Sequence, residues 1–174
     1  MVVPFTIRYE YPFPWKMVNE FVHRQKVTGK TSYDRVKVTL EEGGEDEGKT
    51  SILYDVSVPW ALRLALPKVV QWRDICYVDK RGEVRTEIGE NITWAHKKQL
   101  REVTTWRASE DGLHTLYFKE VPINIPWIPE PIINRGLSIV RHYCLLAREQ
   151  EVELMKSYFA SQQQQSQPAS LPPQ

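Results

Sequence analysis

The feature that most limits the fold of this chain is a run of short strand patterns followed by one long amphipathic helix. From Pro131 onward, apolar residues recur at steps of three, four and eight, the spacing of one helical face. A helix that carries such a stripe must bury it against another layer, and the strands before it can supply that layer. The stripe consists of Ile133, Leu137, Val140, Cys144, Ala147, Met155 and Phe159.

The strand predictions come from partly alternating or apolar segments that are bounded by turn residues. The segments are Phe5–Tyr11, Tyr33–Leu40, Ser51–Val58, Val69–Val78, Val84–Trp94, Leu100–Trp106 and Thr115–Ile125. A helix from Trp15, closed by Gly29, separates the first two strands. We therefore predict an α+β fold: a curved antiparallel sheet of about seven strands with a long C-terminal helix. The domain spans 1–159, and the Gln/Pro-rich tail 160–174 is predicted to be disordered.

The segment "YEYPFPWKMV", Tyr9 to Val18, marks the junction between the first strand and the first helix. Pro12 and Pro14 are disfavoured inside a central strand or a helix, but proline suits the first helical turn. The segment is thus predicted to form a fixed corner, with Trp15 packed into the sheet.

Composition and motifs argue against several classes of function. The 174 residues carry a net charge of +1, which does not indicate a nucleic-acid binder, and no apolar run approaches the ~20 residues of a membrane span. No catalytic or nucleotide-binding motif occurs, the histidines lack metal-ligand spacing, and Glu87 with Glu90 is interpreted as surface charge rather than a catalytic dyad. We predict a non-enzymatic protein without metal or cofactor, with Cys76 and Cys144 as buried thiols.

Two segments leave a structural and a functional interpretation open. Arg141 and Arg148 are seven residues apart and share a helical face, where they could be arginines at the helix edge or cations that hold a phosphate. The segment "VPWALRLALP", Val58–Pro67, could be a short buried helix or an apolar flap. Its large apolar residues are Trp60, Leu62, Leu64 and Leu66.

Four segments together resemble the PRELI-like (Ups/slowmo) domain family. "YPFPWKMV" is similar to the opening motif of that family, and "YVDKRGEVRTEIGENIT" (Tyr77–Thr93) resembles its "VDP…K…N-I/L-T/S" hairpin. Glu102 and Trp106 lie where the family has a Glu followed by an aromatic residue, and "LYFKEVPINI" (Leu116–Ile125) resembles its "Q-E-A-I-I-T-V" strand. The match covers most of residues 1–159.

The resemblance implies a START-like pocket that carries a phospholipid, typically phosphatidic acid, across the mitochondrial intermembrane space. It also implies a heterodimer with a small twin Cys-x-nine-Cys helical protein, which would support import of a chain without an Arg-rich presequence. In this interpretation Trp60, Leu62, Leu64 and Leu66 belong to a lid that contacts the membrane. The expected headgroup ligands are Arg141, Arg148, Lys26 and Lys49.

The chain departs from the family pattern at two basic positions. The family's "K/R-Y-P-N-P" motif is replaced by "RQKVTGK", in which Gln25 stands near the basic position and Lys26 follows it. In "GKTSILYD", Lys49 is the only one of the family's basic residues that the chain keeps. These departures leave an alternative from another class, a binding or assembly module that has lost lipid exchange. A hydrolase or cyclase on the same fold is a third candidate, which no acid–base constellation in the sequence supports.

Overall fold

The structure, a computed structural model, describes residues 3–27, 34–41, 47–57, 68–93, 95, 101–123 and 130–165. The strands pair antiparallel in one sheet, in the order β1-β7-β6-β5-β4-β3-β2. The predicted layout, a curved antiparallel sheet with a long C-terminal helix, is confirmed. The elements are β1 (Val3–Tyr11), α1 (Trp15–Val27), β2 (Asp34–Glu41), β3 (Glu47–Ser57), β4 (Val69–Asp79), β5 (Val84–Asn91), β6 (Arg101–Ala108), β7 (Thr115–Ile123) and α2 (Glu130–Gln165).

The corner before α1 forms as the sequence predicts. The carbonyl oxygen of Pro14 accepts hydrogen bonds from the backbone N–H groups of Met17 and Val18, at 3.0 and 3.2 Å, so the helix begins directly after this proline. Trp15 is buried, and its indole N–H donates to the carbonyl oxygen of Trp106 on β6 at 3.3 Å. The expectation that Trp15 packs into the sheet is therefore confirmed.

The apolar stripe of α2 is only partly the predicted one. Met155 and Phe159 join the core, but Val140 and Ala147 are exposed, and Val152 is buried instead. The side chain of Ile133 lies outside the described residues. The helix continues past Phe159 to Gln165, so its end falls within the tail that was predicted to be disordered, and residues 166–174 are not described. The α2 residues that contact the core are Leu137, Cys144, Leu145, Val152, Met155, Tyr158 and Phe159.

The faces of the sheet differ because successive side chains of a strand alternate between them. On β1 and β7 the inner face is apolar or aromatic, with Phe5, Ile7 and Tyr117 buried under the helices. On β5 the buried positions are instead Arg85, Glu87, Gly89 and Asn91. The inner face is thus polar along β5, in contrast to β1 and β7, and the candidate site lies at this polar region. Neither described helix carries an apolar run that could span a bilayer.

Candidate ligand-binding cavity

A polar cavity of about 140 Å³ lies between α1, the inner face of the sheet and α2. It is smaller than the roughly 300–1,000 Å³ of a typical small-molecule pocket, so its size suits a headgroup or a small polar ligand. Its lining comes from elements that are distant in sequence. The lining residues are Val22, Gln25, Lys26, Tyr54, Asp74, Glu87, Glu102, Thr104, Trp106, Tyr117, Lys119, Arg148 and Glu151.

Lys26 of α1 occupies one wall of the cavity and contacts two buried carboxylates. Its ammonium donates to Asp74 Oδ2 at 2.8 Å and to Glu87 Oε2, and both carboxylate side chains are almost completely buried. Burial alone would lower the pKa of Lys26, but Glu87 and Asp74 outweigh it and raise that pKa above its usual range. Lys26 is therefore held in its charged form near neutral pH.

The two carboxylates are held from behind by further donors. Arg85, which is fully buried, donates to Glu87 Oε1 from Nε at 2.9 Å and from a terminal nitrogen at 2.7 Å. Asp74 accepts hydrogen bonds from the Tyr54 hydroxyl at 3.0 Å and from the Trp72 indole at 2.9 Å. Arg85 and Trp72 thereby satisfy Glu87 Oε1 and Asp74 Oδ1, the two oxygens that Lys26 does not contact, whereas Tyr54 shares Asp74 Oδ2 with Lys26.

The pKa of Glu87 shows how strongly this group of charges is coupled. Burial by itself would raise the pKa of Glu87, yet Lys26 and Arg85 lower it from 4.5 to about 2. The ion pairs thus hold both the Glu87 carboxylate and the Lys26 ammonium in their charged forms. We call Lys26, Asp74, Arg85 and Glu87 the Lys26 cluster.

Arg148 of α2 also lines the cavity. Its guanidinium lies 2.9 Å from Glu151 on the same helix, 3.2 Å from the Tyr11 hydroxyl and 5.2 Å from the centre of the Tyr117 ring. The Tyr11 hydroxyl in turn donates to Glu151 at 2.5 Å. Burial would lower the pKa of Arg148, but Glu151 and the two tyrosines raise it, so the arginine is held as a cation against aromatic rings.

The strands β6 and β7 add a third ion pair and a donor without an acceptor. Lys119 and Glu102 are 2.7 Å apart, and each side chain keeps about a quarter of its surface exposed. The indole N–H of Trp106, a residue that is 3% exposed, has no hydrogen-bond partner within the described part of the chain. A buried donor of this kind is uncommon in folded proteins and marks a place where an acceptor is expected.

The structure brings together two of the four basic residues that the sequence nominated. Lys26 and Arg148 both line the cavity. Arg141 is exposed and lies over the Phe5 ring, with its guanidinium carbon 5.7 Å from the ring centre. Lys49 is adjacent to the exposed ring of Tyr77, on the strand face opposite to buried Thr50 and thus away from the cavity. The proposed lid residues Trp60, Leu62, Leu64 and Leu66 lie outside the described residues.

Sequence reasoning missed most of the charges in the cavity. The interpretation of Glu87 as a surface charge is wrong, because Glu87 is 5% exposed and has two cationic partners. Arg85 and Asp74 were not nominated at all. Since Arg85 and Glu87 are two residues apart on one strand, they share a face, and that spacing was the available signal.

Gly89 gives the polar side chains the room they need. A Cβ atom at this position would lie 2.7 Å from Trp72 Nε1 and 2.9 Å from Asp74 Oδ1, which is too close for either atom to stay where it is. We expect Gly89→Ala to lower the free energy of unfolding by about 1–3 kcal/mol, the usual cost of overpacking, in urea denaturation. Gly136→Ala on α2 is the control, because no described atom lies within 4 Å of its Cβ position and alanine favours a helix. If Gly89→Ala is neutral, the polar side chains are not tightly packed.

Comparison with known proteins identifies the fold but not a family. No protein-family model and no curated protein sequence matches this chain. Among the solved structures similar to it, TTHA0849 from Thermus thermophilus is 15% identical, with a TM-score of 0.50 over 89% of this chain and 99% of that one. Ara h 8.0201 is 12% identical, with a TM-score of 0.53 over 92% of this chain and 99% of that one.

A third similar structure belongs to a longer protein. Dicamba monooxygenase bound to dicamba is 13% identical, with a TM-score of 0.56 over 98% of this chain but only 54% of that chain. At such identities the likeness shows a shared fold alone.

Proposed function

We propose that the protein is a non-catalytic phospholipid carrier with a START-like pocket, which moves lipid between mitochondrial membranes through the intermembrane space. The observation that carries the proposal is the convergence of Lys26, Lys119 and Arg148 on one cavity under the long helix. Cations in such a position can bind the phosphate of a lipid headgroup, and Arg148 can do so with two donors. Phosphatidic acid is the lipid that the family resemblance implies.

We propose that the cavity takes the headgroup only. About 140 Å³ cannot hold two acyl chains, so these must lie elsewhere. We propose that the segment Val58–Pro67 covers them, with Trp60 and Leu64 reaching the membrane when the pocket opens. This segment is apolar enough for that role, since burying a large apolar side chain is worth about 1.5–3 kcal/mol.

An exposed apolar surface on α2 supports a protein partner. Ile139, Val140, Tyr143 and Leu146 are between 38% and 66% exposed, within fewer than three helical turns. A monomer rarely leaves such a surface uncovered. We propose that a small twin Cys-x-nine-Cys helical protein, the partner implied by the resemblance, forms a one-to-one complex with the domain.

Transfer between vesicles tests the carrier function. The protein and its partner, mixed with donor vesicles that contain labelled phospholipid and unlabelled acceptor vesicles, should move label between them and retain lipid that mass spectrometry detects. Trp60→Ser with Leu64→Ser should reduce vesicle association and transfer while leaving the circular dichroism spectrum unchanged. Transfer at the background rate, with no lipid retained, would contradict the proposal.

A second candidate is a binding or assembly module that has lost lipid exchange. The observation in its favour is that Lys26, Lys119 and Arg148 each have a carboxylate partner already. This candidate predicts a stable complex with the partner protein and no lipid extraction, so the same vesicle assay separates it from the carrier.

A further inference from the structure

Among the described residues, the positive and negative charges around the cavity are equal in number. Arg85 lies behind the lining and contacts Glu87, and with it the described part of the site contains four cations and four carboxylates. A neutral site favours a ligand without net charge, because an added ion would be only partly compensated in a region of low dielectric. The charged lining residues are Lys26, Lys119, Arg148, Asp74, Glu87, Glu102 and Glu151.

Two of the ion pairs are more accessible than the Lys26 cluster. Lys119 with Glu102, and Arg148 with Glu151, are pairs at 2.7 and 2.9 Å whose side chains keep about a fifth to a quarter of their surface exposed, and the Tyr11 hydroxyl contacts both members of the second pair. The Lys26 cluster is more deeply buried and linked by more bonds. Ligand binding is therefore expected to act on the two more exposed pairs and leave the Lys26 cluster intact.

A phosphate that binds Arg148 or Lys119 draws the cation away from its carboxylate. Glu151 or Glu102 is then left without a cationic partner in a partly buried place, which is unfavourable. A ligand that also carries an ammonium group removes this penalty, since its ammonium pairs with the carboxylate while its phosphate pairs with the cation. We propose, on the basis of the carrier function above, that the cavity selects a zwitterionic phosphodiester headgroup with a primary ammonium, of the phosphoethanolamine class, over a phosphate alone.

Trp106 provides an independent observation for a phosphate in the cavity, although not for the ammonium group. Its indole N–H is buried and lacks an acceptor among the described residues, and the residue lines the cavity. The phosphodiester has two non-bridging oxygens that share one negative charge, so one can accept from Trp106 while the other binds Arg148 or Lys119. The ammonium keeps its three donors for the carboxylates, which a quaternary choline group cannot offer.

A panel of lipids with identical acyl chains tests the headgroup class. Neutral vesicles doped with phosphatidylethanolamine, phosphatidylglycerol or phosphatidic acid, or made of phosphatidylcholine alone, are incubated with the full chain and its partner, and extracted lipid is quantified by mass spectrometry. We expect phosphatidylethanolamine to be extracted about tenfold more efficiently than any of the others. Extraction of phosphatidic acid as efficient as that of phosphatidylethanolamine overturns the inference and leaves the carrier function standing. Extraction of no lipid overturns both.

A soluble analogue separates a lipid ligand from a small molecule. Glycerophosphoethanolamine presents the same headgroup without acyl chains and should compete with the lipid only weakly. Binding of this analogue as tight as that of the lipid would mean that acyl chains add nothing, which overturns the carrier function while the headgroup class holds.

Variants connect the preference to named residues. Glu102→Gln leaves the cavity with one extra positive charge, and we expect the ratio of phosphatidic acid to phosphatidylethanolamine extracted to rise about tenfold. Glu120→Gln is the matched control, because it lies on the other face of the neighbouring strand and is exposed. Trp106→Phe should reduce phosphatidylethanolamine extraction about threefold to tenfold, which is the loss of one hydrogen bond. An unchanged ratio in Glu102→Gln counts against the exchange of ion pairs.

Discussion

Replacing Lys26 with methionine should lower the free energy of unfolding by about 3–5 kcal/mol, because two buried carboxylates lose their shared cation. The Lys26 side chain is 17% exposed, and those of Asp74 and Glu87 are 5% and 6% exposed. Methionine fills a similar volume, so the lost stability is due to the missing charge and not to an empty space in the core. Equilibrium denaturation in urea or guanidinium chloride measures it.

Lys16→Met on the same helix is the matched control. The Lys16 side chain is 79% exposed and lies 3.8 Å from its carboxylate partner Glu83. Its replacement should change stability by no more than about 0.5 kcal/mol, as surface substitutions usually do. If both variants lose the same small amount, water has access to the Lys26 cluster and the ion pairs there are weak.

The pH dependence of stability provides a second measurement on the Lys26→Met variant. The pKa of Glu87 is lowered from 4.5 to about 2 in the folded protein, so its contribution to stability is present above about pH 4.5 and is lost as the pH falls towards 2. In Lys26→Met only Arg85 remains as a described cationic partner of Glu87, and that pKa should rise. The variant should then lose less of its remaining stability over this pH range than the wild-type protein does.

Replacing Arg148 with methionine should reduce lipid extraction by about tenfold to a hundredfold, which corresponds to about 1.5–3 kcal/mol for hydrogen bonds to a charged group. Arg148 lines the cavity and is the cation that Glu151 and Tyr11 hold in place. The change should be measured with the same vesicles and with the unfolding free energy determined alongside, so that lost binding is distinguished from lost folding.

Arg141→Met is the sharpest control for this experiment. The sequence nominated Arg141 and Arg148 as one pair because they are seven residues apart, whereas in the structure only Arg148 of the two reaches the cavity. We expect Arg141→Met to reduce extraction by less than about threefold, since it removes an exposed cation near the ring of Phe5. Equal losses in both variants would show that the two arginines bind the ligand together and that the cavity described here is only part of the site.

The elements of this fold could be predicted because their signals are local. Alternation and turn residues placed β4 at Val69–Val78 against an observed Val69–Asp79, and the proline corner gave the start of α1 at Trp15. The register of α2 was harder. Several faces of that helix carry apolar residues, and which of them is buried depends on how the helix packs against the sheet. This explains why Val152 was missed and Val140 was wrongly included.

The cavity could be predicted only in part because its charges come from distant segments. Nothing local indicates that Lys26 meets Asp74 and Glu87, which are 48 and 61 residues away. The strand face of Lys49 could, however, have been predicted from the alternation of β3. Ile52 and Tyr54 are buried apolar positions of this strand, and Lys49 lies on the other face. The polar inner face of β5 was visible too, as alternate residues that are all polar or glycine.

The strand order has a consequence for how the chain reaches its fold. β1 lies at one edge of the sheet, and β7 is its one neighbour among the described strands, so Val3 pairs with Ile123. While the chain is synthesised from its N-terminus, β1 has no strand partner until β7 has been made. The apolar side chains of Phe5 and Ile7 stay exposed during this time, which favours aggregation and binding by chaperones. Completion of the sheet is thus a late step, and the helix that covers it can dock in its final position only afterwards.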